Sequence, residues 1–138
     1  LEIQFFGGID GIDPELGENL GKLSKAELMD LYGKADFGMV SSMTNISLVP
    51  YEMLATGLPL IEFQDGTFPF FFRKPSAILT SFSAQDLYEK MYKAICNPEI
   101  LREMNENAQE CMNGLSWRNS GHQFAEIIRN KTGCEYER

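Results

Sequence analysis

The 138-residue sequence predicts one α/β domain built on an open parallel sheet, and three observations carry that expectation. Phe37 to Ser41 and Leu58 to Phe63 are short apolar runs of strand character, and the stretch between them, Pro50 to Thr56, has helical character. That makes a strand–helix–strand unit. The second half of the chain shows helical spacing throughout, and an apolar content of 43% is ordinary for a core of this size.

In chain order, Leu1 to Phe6 is the first strand candidate, followed by a loop of glycines, aspartates and a proline from Gly7 to Pro14. Asp10, Asp13 and Glu15 oppose a phosphate-binding role for that loop, and the GxGxxG fingerprint is absent. Asn19 to Leu23 is a brief strand. Ser24-Lys-Ala-Glu27 is a capping-box pattern opening a helix whose Leu28, Leu31, Tyr32 and Ala35 form an apolar stripe. Pro50 suits the first turn of the next helix and Gly57 its left-handed stop, which puts Glu52 in the first turn. Thr67 to Phe72 is a dense aromatic cluster preceding Arg73 and Lys74. Buried, it is core; exposed, it suits a protein interface or an anionic membrane surface. Ser83 caps a helix reaching Cys96, Pro98 starts another that ends at Gly114, and Trp117 opens a third with Phe124, Ile127 and Ile128 on one side. A charged tail from Lys131 is expected to fray.

The net charge of −8 argues against nucleic acid as a partner. Cys96, Cys111 and Cys134 are odd in number and lack metal-site spacing, which points to a reducing compartment, with Cys96 and Cys111 as buried thiols. No apolar run is long enough to span a bilayer. A chain that starts at Leu1, inside a strand, is expected to be part of a longer protein.

His122 is the only histidine, so no Ser-His-Asp set is available, and no set of convergent acid and base residues is visible. The best candidate site is the segment Thr44 to Glu52, at the carboxyl end of a strand, where open α/β sheets bind ligands. Glu52 can accept hydrogen bonds from a diol such as ribose, with a plain capping role as the alternative. The amides of Asn45, Ile46, Ser47 and Leu48, at a helix start, suit phosphate oxygens.

Gly21-Lys-Leu-Ser, Leu31-Tyr-Gly-Lys-Ala-Asp36, Val40-Ser-Ser42 and Leu48-Val-Pro-Tyr-Glu52-Met-Leu-Ala-Thr-Gly57-Leu-Pro-Leu together resemble the donor-binding half of family 4 glycosyltransferases. The likeness is close over residues 1–61 and looser as far as Trp117. It implies a GT-B enzyme of two Rossmann-like domains, each a three-layer parallel sheet, with this chain as a partial C-terminal donor-binding domain ending in helices. The acceptor-binding N-terminal domain is outside residues 1–138. A nucleotide diphosphate sugar would serve as donor, without metal or other cofactor, for transfer with retained anomeric configuration. By the same resemblance Glu52 holds the ribose, Ile46, Ser47 and Leu48 meet the donor phosphates and sugar, and Lys22 and Leu23 lie near the nucleobase and ribose. No residue of the chain is assigned a catalytic role.

Thr44 stands where the family carries a first glutamate that touches the donor sugar, and Asn45 and Ser47 stand where it often carries glycines. Some polysaccharide-building rhamnosyltransferases are similar to this chain in lacking that glutamate. The family also places a helix between Phe6 and Leu20, where this chain has a short glycine-rich link; a parallel crossover normally takes a dozen residues or more. The resemblance therefore implies a hexosyl or rhamnosyl transferase of cell-surface polysaccharide synthesis, inactive as this fragment alone. Its acceptor would be a saccharide or lipid-linked saccharide, and its place the cytoplasm, with peripheral contact at the inner membrane face as an open alternative. The rival reading is a noncatalytic Rossmann-like scaffold or oligomerisation module.

Overall fold

A computed structural model describes residues 1–8, 11 and 13–132. Asp10, Cys134 and the charged tail beyond Thr132 lie outside the described residues, while Lys131 and Thr132 are still helical. Among the described residues the elements are, in order, β1 (Gln4–Phe5), β2 (Glu18–Asn19), α1 (Lys25–Lys34), β3 (Gly38–Met39), α2 (Leu48–Ala55), β4 (Leu60–Phe63), α3 (Phe68–Phe71), β5 (Ile78–Thr80), α4 (Ala84–Cys96), α5 (Pro98–Met112) and α6 (Trp117–Thr132). β3, β4 and β5 form one parallel sheet in that order, and β1 and β2 form a separate parallel pair.

Successive residues of a strand point to opposite faces, and β4 uses both. Leu60 joins Tyr32, Met53, Leu54, Phe68 and Phe72 on one side, while Ile61 joins Ile78 and Ala94 on the other. Helices α1 and α2 cover the first face and α4 the second. Helix α5 reaches both, through Ala108 and Met112 to the first and Leu101 and Met104 to the second. The three-stranded sheet is thus covered on both faces, the arrangement expected of a parallel sheet whose strands read as continuous apolar runs.

The strands are shorter than expected from sequence, although pairing bonds extend them: Val40 donates to the Ile61 carbonyl at 3.1 Å, and Gly7 to the Gly21 carbonyl at 2.8 Å. β5 and α3 were not expected. Between β1 and β2 the described residues form a turn at Pro14–Leu16 and no helix, yet the pair is parallel, with Gln4 opposite Glu18. Gly38 packs closely under α2: a Cβ there would lie 2.6 Å from the Met53 sulfur, so that side chain would have to shift.

Several expectations need correction. Helix α2 begins at Leu48, with the Ser47 hydroxyl accepting from the Val49 amide at 3.3 Å, so Glu52 falls in the second turn rather than the first. Pro50 is tolerated there because first-turn amides have no intrahelical acceptor to lose. Gly57 does close the helix, at φ 82°, with its own amide bonded to Leu54 and that of Leu58 to Met53. Cys96 is exposed, because the buried stripe of α4 is Leu87, Met91 and Ala94; Cys111 is half-buried. The aromatic cluster divides: Phe68 and Phe72 stack in the core with centroids 4.5 Å apart, while Phe70 and Phe71 face solvent. The apolar side of α6 is also exposed, Phe124 and Ile127 included.

Candidate functional site

The carboxyl end of β3 opens into the loop from Ser41 to Ser47, which delivers the chain to the start of α2. Ser42, at the root of this loop, is buried and has all its polar atoms engaged. Its hydroxyl donates to Glu62 Oε1 at 2.5 Å and its amide to Glu62 Oε2 at 3.1 Å. Its carbonyl accepts from the Thr67 amide at 2.7 Å and the Thr67 hydroxyl at 2.8 Å. Beyond that root the loop turns outward. Thr44 and Asn45 are exposed and joined by a 3.2 Å bond from the Thr44 hydroxyl to Asn45 Oδ1, while Ile46 dips back against the core. Among the described residues the amides of Ile46, Ser47 and Leu48 have no protein acceptor.

Glu52 is half-buried on α2, and its carboxylate makes no hydrogen bond or ion pair with any described residue. Its electrostatic neighbour is Tyr32 of α1. The Tyr32 ring is buried edge-on against Phe6, with centroids 5.9 Å apart, and its hydroxyl has no partner among the described residues. Burial first, and then the charge of Glu52, pushes that hydroxyl above its ordinary pKa. The Tyr32 hydroxyl is thus a buried polar group without a partner among the described residues, whereas buried polar groups are almost always paired.

Lys22 and Leu23 follow β2. The stem of Lys22 lies over Gly8, and Gly21 adopts a left-handed turn held by Asn19 Oδ1 at 3.0 Å. Lys22 is exposed and Leu23 half-buried. Thus Thr44 to Leu48 and Glu52 occupy one loop–helix corner, while Lys22 and Leu23 lie in the separate turn after β2. Sequence reasoning passed over Ser42, Glu62 and Thr67; a single acid inside the apolar strand Leu60–Phe63 was the available signal.

An open hollow of about 660 Å³ lies among Leu1–Ile3, Pro14–Leu16 and Glu18. It sits at the amino ends of β1 and β2 and carries three carboxylates, which suits it poorly to an anionic ligand. No group of three or more His, Cys, Asp or Glu residues among the described residues could hold a metal ion. His122 is exposed on α6. No helix among the described residues is long and apolar enough to cross a membrane.

No protein-family model and no curated protein matches the chain. Solved structures do. Sucrose-phosphate synthase from Thermosynechococcus elongatus aligns over 88% of this chain with a TM-score of 0.70 and 21% identity. Anabaena HepE in complex with UDP and glucose aligns over 83% with a TM-score of 0.67 and 17% identity, and the same protein with UDP alone over 85% with 0.66 and 18%. The chain spans about a third of the length of these proteins. At such identities the likeness establishes architecture. The chain has the α/β fold of the C-terminal part of GT-B glycosyltransferases.

Proposed function

We propose that this chain is the donor-binding part of a retaining glycosyltransferase that takes a nucleotide diphosphate sugar, in the synthesis of a cell-surface polysaccharide. The observation that carries the reading is a carboxylate, Glu52, without a protein partner among the described residues, in the second turn of the helix whose start carries the free amides of Ile46, Ser47 and Leu48, in a fold shared with a UDP-bound protein. Glu52 would accept the ribose hydroxyls, and the amides would donate to diphosphate oxygens with the help of the helix N-terminus. Lys22 and Leu23 would border the base and ribose. The family 4 and rhamnosyltransferase likeness, including Thr44 in place of a glutamate, belongs to this proposal, as do the cytoplasmic setting, the acceptor handled by a further domain and the absence of a metal requirement.

Calorimetry with UDP, GDP, ADP and dTDP tests the reading. At least one nucleotide should bind, and Glu52→Ala should weaken it by about tenfold or more, since hydrogen bonds to a charged group contribute about 1.5–3 kcal/mol each. A second reading, a noncatalytic scaffold, draws on the exposed Phe70 and Phe71 and on Thr44 at the usual sugar contact. Silence toward every nucleotide, combined with concentration-dependent sedimentation, would favour the scaffold.

A further inference from the structure

Glu62 is fully buried, and none of the ion pairs among the described residues includes it. An acid in such a place is costly unless its oxygens are satisfied, and an apolar residue is the ordinary occupant of a covered parallel strand. Here both oxygens are met by Ser42, with the Phe63 amide 3.4 Å from Oε2 as an additional donor. The next loop completes the hold. Thr67 grips the Ser42 carbonyl from the other side, and a Cβ on Gly66 would stand 2.7 Å from that carbonyl oxygen, so the two loops meet backbone to backbone.

We infer that Glu62 is the positioning residue of the β3–α2 loop: through Ser42 it sets the direction in which that loop leaves the sheet, and with it where the amides of Ile46 to Leu48 point. The inference rests on the donor-site reading for its functional consequence, though not for the brace itself. Glu62 is beneath the loop and acts on it through Ser42. Its contribution is to remove the freedom of a loop that, beyond Ser42, has few bonds of its own. Ordering in advance is what such a loop contributes to affinity, because the entropy of fixing it is not lost again on binding.

Backbone ¹⁵N relaxation and UDP calorimetry on the 138-residue chain test this with four variants. In Ser42→Ala, Thr67→Val and Glu62→Ala, amide order parameters over 43–49 should fall from about 0.85 toward about 0.6 while those of α4 stay unchanged, and any UDP affinity should fall by about fivefold or more. Glu62→Gln should keep the order parameters near the wild-type values and the affinity within about twofold, because its amide carbonyl can accept from the Ser42 amide and its NH₂ can donate to the Ser42 hydroxyl. Unchanged order parameters at 43–49 in folded Ser42→Ala overturn the inference, as does a Glu62→Gln variant as loose as Glu62→Ala. If Glu62→Ala does not fold, Ser42→Ala and Thr67→Val decide. A wild-type chain that binds no UDP counts against the donor-site reading for that nucleotide, while the order parameters still decide the brace.

Discussion

The sheet β3–β4–β5 and the terminal helix α6 both carry large apolar side chains, and those side chains end in opposite states. Around the sheet, side chains tie each strand end to its neighbour: Ser42 to Glu62 and Thr67, and Ser81 and Thr80 to Asp86. Along α6 no described residue is buried, and Trp117, Phe124 and Ile127 face solvent. A large apolar side chain is therefore not by itself a buried one. Parallel strands must be covered on both faces, whereas a helix satisfies its own backbone and can remain on the surface. The candidate site stands at the tied end of the molecule, where loop geometry is fixed by the sheet.

The sharpest way to break this comparison is a pair of truncations. Phe68→Ala, in the stacked core, should cost about 3–5 kcal/mol in urea unfolding, while Phe124→Ala on α6 should stay within about 0.5 kcal/mol. Similar losses in both would mean that the α6 face is packed after all. A pair of glycines follows. Gly66→Ala drives a Cβ into the Ser42 carbonyl and should lower stability by about 1–3 kcal/mol. Gly121→Ala, in open space on a helix, should be neutral or raise stability by up to about 1 kcal/mol, and thermal melts of the two variants read the contrast.

Asp86 sharpens the picture by pH. The Ser81 amide, then Lys90 and the Ser81 hydroxyl, hold its carboxyl well below the usual carboxylate range. A depressed folded pKa contributes stability that is complete above the unfolded value of about 3.8 and fades as pH falls through the lower folded value. The stability gap between wild type and Asp86→Asn should accordingly be constant near neutrality and close in strong acid. A gap that persists unchanged at pH 2 would contradict this. The smallest effect is expected at Tyr32: Tyr32→Phe removes a buried hydroxyl that has no partner among the described residues, so the melting temperature should hold or rise slightly, and a loss above about 1 kcal/mol would reveal a hidden bond.

Much of this was legible in the sequence, for local reasons. The capping box Ser24–Glu27 forms as written, with bonds of 2.7 and 3.4 Å, and Ser83, Pro98 and Gly57 mark helix ends as their chemistry requires. What was missed depends on distant partners. Ile78–Thr80 is too short to announce itself before β4 is beside it. The start of α2 shifted by two residues because both Ser47 and Pro50 are valid first-turn signals, and the hydroxyl cap decided. Cys96 was misplaced because helical spacing does not fix which side meets the sheet. The loop after β3 and the helix that carries Glu52 were readable as local structure; the Ser42–Glu62 bond was not, because a bond across twenty positions leaves no local pattern.

The central claim is that Glu52 and the amides of Ile46 to Leu48 form one anion- and diol-binding corner. Titrating UDP into the isotopically labelled chain and following its amide resonances tests that claim most directly. The account predicts progressive shifts at Ile46, Ser47, Leu48 and Glu52, greatly reduced in Glu52→Ala. Shifts clustered instead around Leu16 to Glu18, or none anywhere at millimolar UDP, would contradict it.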